Sequence, residues 1–397
     1  MTANQTPVTR GQLIPFAFLS ASYCAHIGFF NPYLSLWLKD LGLSLWLIGL
    51  LTGMQSFSRL FAPYAWAWVA DKTHQRFNVL KWCAFVALIF SMGLYWPVNP
   101  LMLALILFFM FIHTSPIMPM SEAAMANLVS QNGIFNAKRY GRVRLWGSMG
   151  FLITVLAAGA WFEKNGMQDF PTWTVITLLA VNISIALISK KSELSRDDQP
   201  ALSVVSVLKQ KQSLLFFSSV FFHVLAHISI YTFLSLYLDS LGYSKDTIGI
   251  LWAVSIVIEI LAFYSQNKWI HRLSLPAWLC VCAFTMVIRM VITAWFADQF
   301  FLLIFAQVLH AVTFAIHHTV CISWLLHHFP GRLRTRGQAL YSVIAYGLTG
   351  VLGSLCGGSL SSWLGLGSVY IGAVIAAILS CLFSYWLLKQ AHNNLFN

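Results

Sequence analysis

Four ionisable side chains occur inside long apolar stretches of the sequence, and these are the residues that could do chemistry: Arg59, Glu122, Glu259 and Arg289. An ionised group in hydrocarbon is costly, so such groups pair with one another or face water, and they mark ion or substrate pathways. Burial favours the protonated form of a carboxylate, whereas an adjacent cation favours the ionised form. A carboxylate that changes its cationic partner during a conformational cycle therefore gains and loses a proton.

This reasoning predicts proton coupling by Glu259. Arg289 is the expected cation that displaces the proton, and His310 is a candidate relay because an imidazole titrates near neutral pH. A permanent ion pair that fixes the register of the helices is the alternative.

Glu122 and Arg144 form a second candidate pair. Pro116 and Pro119 precede Glu122 and should bend its helix, because proline interrupts the helical hydrogen bonds. A guanidinium fork suits a carboxylate or a group of hydroxyls, which makes Arg144 a candidate for substrate binding. The alternative is that Arg144, like Arg142, is an interfacial arginine.

Histidines at helical spacing form a third group, with His223 and His227 on one predicted helix and His317, His318 and Cys321 on another. Histidine pairs on one helix face can bind zinc or haem. Because no Cys or His set completes a closed coordination pattern, no metal or other cofactor is expected. Cavity-facing hydrogen bonding or packing is the favoured interpretation.

Aromatic residues make up 15% of the chain, and most Trp and Tyr should lie at membrane interfaces. Tyr33 and Trp252 lie on predicted spans and could stack on an aromatic substrate, although ordinary packing is the alternative. The candidate substrate-binding residues are thus Glu122, Arg144, Tyr33 and Trp252, together with Arg59.

The surroundings of these residues are those of a membrane protein. The chain is 58% hydrophobic and only 9% charged, with a mean hydropathy of +0.73. A soluble domain carries about a quarter charged residues, and runs of roughly 20 apolar residues are long enough to cross a bilayer as helices. The net charge of +12 lies in short gaps between these runs, which argues against nucleic-acid binding. No cleavable signal peptide is expected.

The sequence predicts an all-α membrane protein with twelve transmembrane helices. They are expected at 12–38, 46–70, 78–96, 101–129, 139–163, 170–189, 213–239, 247–269, 276–297, 299–328, 334–363 and 367–389. Most of the 24 Lys and Arg residues fall on one side of this arrangement, while Lys39, Lys164 and Lys245 fall on the other. The positive-inside rule therefore predicts that both termini are cytoplasmic.

An internal repeat divides the predicted spans into two groups of six. The segment YLSLWLKDLGLSLWLIGLL at 33–51 recurs as FLSLYLDSLGYSKDTIGIL at 233–251. The repeat sets Arg59 against Glu259, so the same position carries opposite charges. We expect a six-helix bundle at 1–189, a cytoplasmic loop at 190–212 and a second six-helix bundle at 213–397, with the substrate held between bundles.

The segment AWVADKTHQR at 67–76 resembles the loop signature of the major facilitator superfamily, in which Gly, Asp and basic residues separate the second and third helices. Asp71, Lys72 and Arg76 match this signature, whereas Ala67 and His74 stand at glycine positions. The resemblance implies that this loop helps to latch the cytoplasmic side during transport.

Three further segments resemble the phenylpropionate permease group, which is related to lactose permease and to nucleoside–proton symporters. They are YGRVRLWGSMGF at 140–151, SEAAMANL at 121–128 and the region around His310. The resemblance implies that Glu122 and Arg144 bind substrate together. In lactose permease an acid of the tenth helix carries the proton, but 301–329 contains no Asp or Glu. The proton is therefore expected on Glu259 or Glu122.

The sequence thus predicts a monomeric secondary transporter of the bacterial inner membrane that moves a small aromatic carboxylate, such as 3-phenylpropionate, together with a proton by alternating access. A symporter or exporter of a sugar, nucleoside or drug is the nearest alternative. A membrane sensor that binds without transport and a membrane-embedded enzyme are alternatives of other classes.

Overall fold

The computed structural model describes residues 10–96, 99–131, 134–135, 137–188, 205–329 and 334–396. Of the predicted cytoplasmic loop at 190–212, residues 190–204 lie outside the described residues.

The described residues up to 188 are helical apart from two short strands and the connecting turns. The helices are α1 (Arg10–Asp40), α2 (Leu45–Thr73), α3 (Arg76–Met92), α4 (Pro100–Thr114), α5 (Ile117–Val129), α6 (Ala137–Asn165) and α7 (Phe170–Ala186). Short 3-10 turns occupy Gly93–Tyr95 and Met167–Asp169, and strands β1 (Ser130–Gln131) and β2 (Ile134–Phe135) pair antiparallel.

The described residues from 205 onward are mainly helical as well. The helices are α8 (Val205–Leu208), α9 (Lys211–Ser240), α10 (Lys245–Ser265), α11 (Leu275–Trp295), α12 (Phe300–Val308), α13 (His317–His328), α14 (Arg334–Ser342), α15 (Thr349–Leu364) and α16 (Gly367–Phe396). Turns of 3-10 helix occupy Gln266–Lys268 and Ile270–Arg272, and π-helical segments occupy Ala311–Ile316 and Val343–Leu348.

The predicted fold class is confirmed. Each predicted span coincides with a helix or with helices joined end to end. In the described part of the chain, eleven continuous helical stretches are long and apolar enough to cross a membrane. α2 is not in that set, since Gln55 and Arg59 lower its hydropathy. Large apolar side chains such as Phe301 and Trp363 are more than four-fifths exposed, as expected for helices that face lipid.

Three of the predicted spans are interrupted in their interior, and those at 78–96 and 247–269 end in 3-10 helix. The span at 101–129 breaks at Ser115 and Pro116, because proline has no N–H to donate to the preceding turn. The spans at 299–328 and 334–363 each contain one π-helical segment, which the hydrophobic pattern did not indicate.

One compact unit contains the described parts of 1–37 and 58–198. Its core joins α1, α3, α5 and α7 around Phe77, Leu80 and Ile185, all of which are fully buried. α1 and α6 approach closely at Gly150, where a β-carbon would collide with the carbonyl of Ala21. Glycine is therefore required at this crossing.

The other compact unit contains 38–57 and the described parts of 199–397. Its core includes the stacked rings of Phe216 and Trp324, whose centroids lie 3.8 Å apart. Within this unit Gly49 of α2 packs so closely on Gly358 of α15 that a β-carbon on Gly49 would lie 2.7 Å from the Gly358 Cα.

Candidate functional site

Arg289 is the most completely buried charged side chain of the described residues. It lies on α11 with 0% exposure and donates three hydrogen bonds to residues of the following span. Its Nη1 donates to Thr313 Oγ1 at 2.9 Å and to His310 Nδ1 at 3.2 Å, and its Nη2 donates to Gln307 Oε1 at 3.1 Å. The fork of the guanidinium thus holds the three side chains around the start of the π-helical segment.

His310 connects Arg289 to Glu259. A guanidinium can only donate, so the Nδ1 of His310 must be the accepting nitrogen. The hydrogen of the neutral ring is therefore on Nε2, which lies 3.1 Å from Glu259 Oε2. Sequence reasoning favoured a direct pair of Glu259 with Arg289, whereas the structure brings all three residues together with His310 in the middle. We call this arrangement the Arg289–His310–Glu259 chain.

Three polar residues that the sequence did not single out hold the Arg289–His310–Glu259 chain in place through hydrogen bonds. They are Gln307, Thr313 and Ser255. Ser255 of α10 donates to Gln307 Oε1 at 2.8 Å, on the same oxygen that Arg289 uses. The sequence did carry a signal, since Gln307, His310, Thr313 and His317 recur at intervals of three or four residues. That spacing places polar groups on one face of an otherwise apolar helix.

The π-helical segment Ala311–Ile316 supplies a backbone acceptor to the same region. His223 Nε2 lies 2.7 Å from the carbonyl oxygen of Thr313. Because a carbonyl only accepts, Nε2 carries the hydrogen of His223 and its Nδ1 is a bare acceptor when the ring is neutral. The rings of His223 and His317 stack with centroids 3.7 Å apart.

A cleft opens beside the Arg289–His310–Glu259 chain. It encloses about 230 Å³ including its open mouth, and every lining residue belongs to the unit that contains 199–397. The lining residues are His223, Val224, His227, Tyr231, Thr313, Phe314, His317 and Tyr346. Both π-helical segments contribute to it, through Thr313 and Phe314 on one and Tyr346 on the other.

Glu122 and Arg144, the second candidate pair, lie close together in the other unit. Arg144 Nη1 lies 2.9 Å from Glu122 Oε1, and their side chains are 58% and 25% exposed. Tyr140 also hydrogen-bonds to Arg144. The pair is therefore accessible, unlike the buried Arg289.

The three remaining substrate candidates lie in different surroundings. Arg59 is half-buried on α2 in the unit that holds Glu122. Tyr33 is fully buried and donates to the carbonyl of Val155 at 3.1 Å, so its contacts are those of a packed residue. Trp252 is nearly buried in the unit that holds Glu259, and its ring stacks on Tyr231.

The predicted gating residues flank the short loop between α2 and α3, since Asp71 and Lys72 lie in the last turn of α2 and Arg76 begins α3. Arg76 Nη2 lies 3.4 Å from Asp71 Oδ1, and Lys72 lies 5.0 Å from the ring of Trp68. His74 has a φ of 54°, the left-handed region that glycine adopts without strain. This conformation explains why glycine is usual at that position of the signature.

Among the described residues, no group of three or more His, Cys, Asp or Glu is arranged to hold a metal ion. The histidines of the cleft stack on one another and on aromatic rings instead.

Comparison with known proteins gives relatives that match almost the whole chain. A probable 3-phenylpropionic acid transporter of Escherichia coli (strain K12) is 27% identical over 365 residues, which cover 89% of this chain and 93% of the relative. The maltose permease of Geobacillus stearothermophilus is 23% identical over 367 residues, covering 90% of each chain.

Solved transporter structures share the fold. The nucleoside transporter NupG matches with a TM-score of 0.76 at 14% identity, over 95% of this chain and 98% of that one. A D-xylose–proton symporter matches with a TM-score of 0.68 at 15% identity, over 96% of each chain. At such identities the likeness concerns the fold alone.

The model of the MFS_1 like family matches residues 16–371, which is most of the sequence. Together with the eleven membrane-length helical stretches of the described residues, this match identifies the chain as a multi-pass membrane transporter and a member of the MFS_1 like family of the major facilitator superfamily.

Proposed function

We propose that this protein is a proton-coupled symporter of a small aromatic carboxylate such as 3-phenylpropionate. The observation that carries the coupling is the Arg289–His310–Glu259 chain. The name of the Escherichia coli relative supports the substrate class. We further propose a monomer in the bacterial inner membrane, with both termini cytoplasmic, that works by alternating access.

The net charge of the Arg289–His310–Glu259 chain explains how the binding of a proton and the binding of an anion can be coupled. With Arg289 cationic, His310 neutral and Glu259 ionised, the three residues carry no net charge. A proton on Glu259 removes the anion that balances Arg289, so the cluster becomes positive and attracts a carboxylate. Loss of that proton restores the internal balance and favours release of the substrate.

His310 links the two charged residues through hydrogen bonds of fixed direction. Its Nδ1 accepts a hydrogen bond from Arg289 and its Nε2 donates one to Glu259, so a change of charge at either residue alters the hydrogen bonding of the other. A second proton on His310 would occupy Nδ1 and break the bond from Arg289. Proton movement at this ring therefore changes the position of the arginine.

Glu122, Arg144 and Arg59 are the proposed partners of the substrate in the other unit, and Trp252 is a proposed partner in the unit that holds Glu259. The exposed guanidinium of Arg144 can bind a carboxylate with two parallel hydrogen bonds. In this proposal Asp71, Lys72 and Arg76 act as the gating loop, and Tyr33 supports the packing of α1.

Uptake of labelled 3-phenylpropionate by cells that express the protein tests this function. We expect accumulation that is stronger at about pH 6 than at about pH 8 and that collapses when a protonophore is added, since a protonated carrier binds the anion. Cells carrying the empty vector are the control. Absence of uptake above this control, with the protein confirmed in the membrane, would exclude this substrate.

A sugar is the second candidate substrate, because the maltose permease relative matches most of the chain. A paired arginine and carboxylate, as at Arg144 and Glu122, also suits a cluster of hydroxyls. Labelled maltose in the same assay separates the two candidates.

A further inference from the structure

Two buried nitrogens on residues that line the cleft have no hydrogen-bond partner among the described residues. They are Nδ1 of His223 and Nε2 of His227, on side chains that are 1% and 2% exposed. Both residues line the cleft and lie one helical turn apart on α9. A buried polar group without a partner destabilises the protein, so a ligand that supplies the missing partner gains affinity here.

The hydrogen bond from His223 to the Thr313 carbonyl determines which nitrogen of His223 is left as an acceptor. Because Nε2 of His223 donates to that carbonyl, its Nδ1 offers a lone pair and needs a hydrogen-bond donor. A carboxylate has no hydrogen to donate. The charged end of an aromatic acid is therefore a poor match for this nitrogen, whereas a hydroxyl is a good one.

A hydroxyl also suits His227, because it can donate one hydrogen bond and accept another. The cleft as a whole has room for about one water-sized group, so the hydroxyl enters the cleft and the ring stays at its mouth. No Asp, Glu, Lys or Arg is among the residues that line the cleft.

Aromatic rings surround the cleft. Tyr231 stacks on His227 with centroids 4.7 Å apart, and Phe314 stacks on His310 at 5.0 Å. Offset stacking of this kind accommodates a further planar ring. The two π-helical segments that meet the cleft are a second mark of a binding site, since π-helical turns occur frequently where proteins bind ligands.

We infer that this cleft binds the ring end of the substrate and that it selects an aromatic acid whose ring carries a hydroxyl. The hydroxyl donates to His223 Nδ1 and accepts from His227, while the ring lies against Tyr231 and Phe314. The carboxylate stays outside the cleft, because no cationic side chain is among the residues that line it. This inference rests on the proposed function, because it concerns the same substrate class.

Calorimetric titration of the purified full-length protein tests the assignment. The probes are 3-phenylpropionate, its 4-hydroxy derivative and its 4-methoxy derivative, which has the oxygen but no hydrogen to donate. We expect the hydroxy compound to bind about tenfold more tightly than the other two, because only it satisfies His223. Equal affinities for all three would overturn the assignment on the wild-type protein alone.

His223→Phe locates the effect. Phenylalanine keeps a ring to stack on His317 but has no acceptor, so the preference for the hydroxy compound should disappear. His227→Phe is a second variant should the first fail to fold, and His327→Phe, at the exposed end of α13, is the matched control that should keep the preference. A preference that survives both cleft variants would also overturn the assignment.

The outcome separates this inference from the proposed function. Uptake of 3-phenylpropionate with no hydroxyl preference would leave the proposed function and remove the inference. If none of the three acids is taken up, 4-ethylphenol serves as a probe that lacks the carboxylate. Binding of 4-ethylphenol that is lost in His223→Phe would then keep the cleft assignment and exclude the carboxylate substrate, whereas no binding would remove both.

Discussion

At the scale of single residues, the arginine at the centre of the site acts through its shape as well as its charge. Arg289 reaches three acceptors that lie on one span, and its planar fork holds them at fixed angles. A lysine ammonium is a compact charge with a different set of donor directions. The site therefore depends on a guanidinium rather than on any cation.

Arg289→Lys should accordingly lower transport although the charge is kept. We expect the initial rate of substrate uptake to fall about tenfold or more, because two of the three buried acceptors lose their donor. Uptake by cells with matched protein levels measures the effect. Arg142→Lys, on the exposed surface of α6, is the control that should transport normally, and normal transport by Arg289→Lys would contradict this view of the site.

The accessible pair of Glu122 and Arg144 should contribute to binding more than to stability. A half-exposed ion pair stabilises a fold by less than about 1 kcal/mol. We expect Glu122→Gln to raise the KM for substrate about tenfold while the unfolding free energy changes by less than about 1 kcal/mol. Uptake kinetics and thermal unfolding in detergent measure the two quantities.

The exposed Glu163→Gln is the control for that substitution. An unchanged KM combined with a clearly lower unfolding temperature would show that Glu122 and Arg144 form a structural pair instead.

The residue types of the site were predictable from the sequence, but their contacts were not. Glu259, Arg289 and His310 stood out because charged and titratable groups are rare in apolar spans. The position of His310 between the other two depends on how α10, α11 and α12 pack side by side. Helix spacing along the chain contains no information on that packing.

At the scale of helices, two departures from the regular α-helix have identifiable causes, one local and one in a distant residue. Pro116 accounts for the break between α4 and α5. The π-helical segment Ala311–Ile316 is stabilised by a long-range bond, since His223 donates to the Thr313 carbonyl within it. The break could be predicted from a proline, whereas the π-helical segment could not, because its stabilising partner lies on another helix.

The turn between α2 and α3 should become more stable when its strained residue is replaced. His74 has a positive φ, so His74→Gly should raise the free energy of unfolding by about 1 kcal/mol. Thermal unfolding in detergent measures the change. Gln75→Gly is the matched control, because Gln75 has a φ of −131° and gains nothing from glycine.

That prediction would be contradicted if His74→Gly were as destabilising as Gln75→Gly. The same result would imply that His74 has contacts that outweigh the strain of its backbone.

The close approach of α2 to α15 should not tolerate a side chain. A β-carbon on Gly49 would lie 2.5 Å from the carbonyl oxygen of Ser354, so Gly49→Ala should destabilise the protein by about 1–3 kcal/mol. Gly141→Ala is the control, since a β-carbon there meets no atom within 4 Å. Equal unfolding temperatures for the two variants would show that α2 moves aside easily.

At the scale of the whole molecule, the repeat in the sequence places opposite charges at equivalent positions. Lys39 and Asp239 occupy matching positions of the repeat and form an ion pair at 2.9 Å. Arg59 and Glu259 also occupy matching positions, but they lie in different units. A duplicated bundle can thus acquire different chemistry in each copy by changing few residues.

The fold class was predictable at this scale because hydrophobic length alone selects membrane helices. The division at 190–212, the orientation in the membrane and the oligomeric state stay predictions. The relatives show a transporter family, whereas the coupling to protons is a proposal that depends on Glu259.

The measurement that tests this coupling most directly compares accumulation with exchange for Glu259→Gln in proteoliposomes, with labelled 3-phenylpropionate and an imposed pH gradient. Glutamine keeps the size of the side chain and cannot release a proton. We expect the wild type to accumulate label, while Glu259→Gln accumulates none above the gradient-free control and exchanges label at a rate within about threefold of the wild type. Accumulation by Glu259→Gln at the level of the wild type would contradict proton coupling through Glu259.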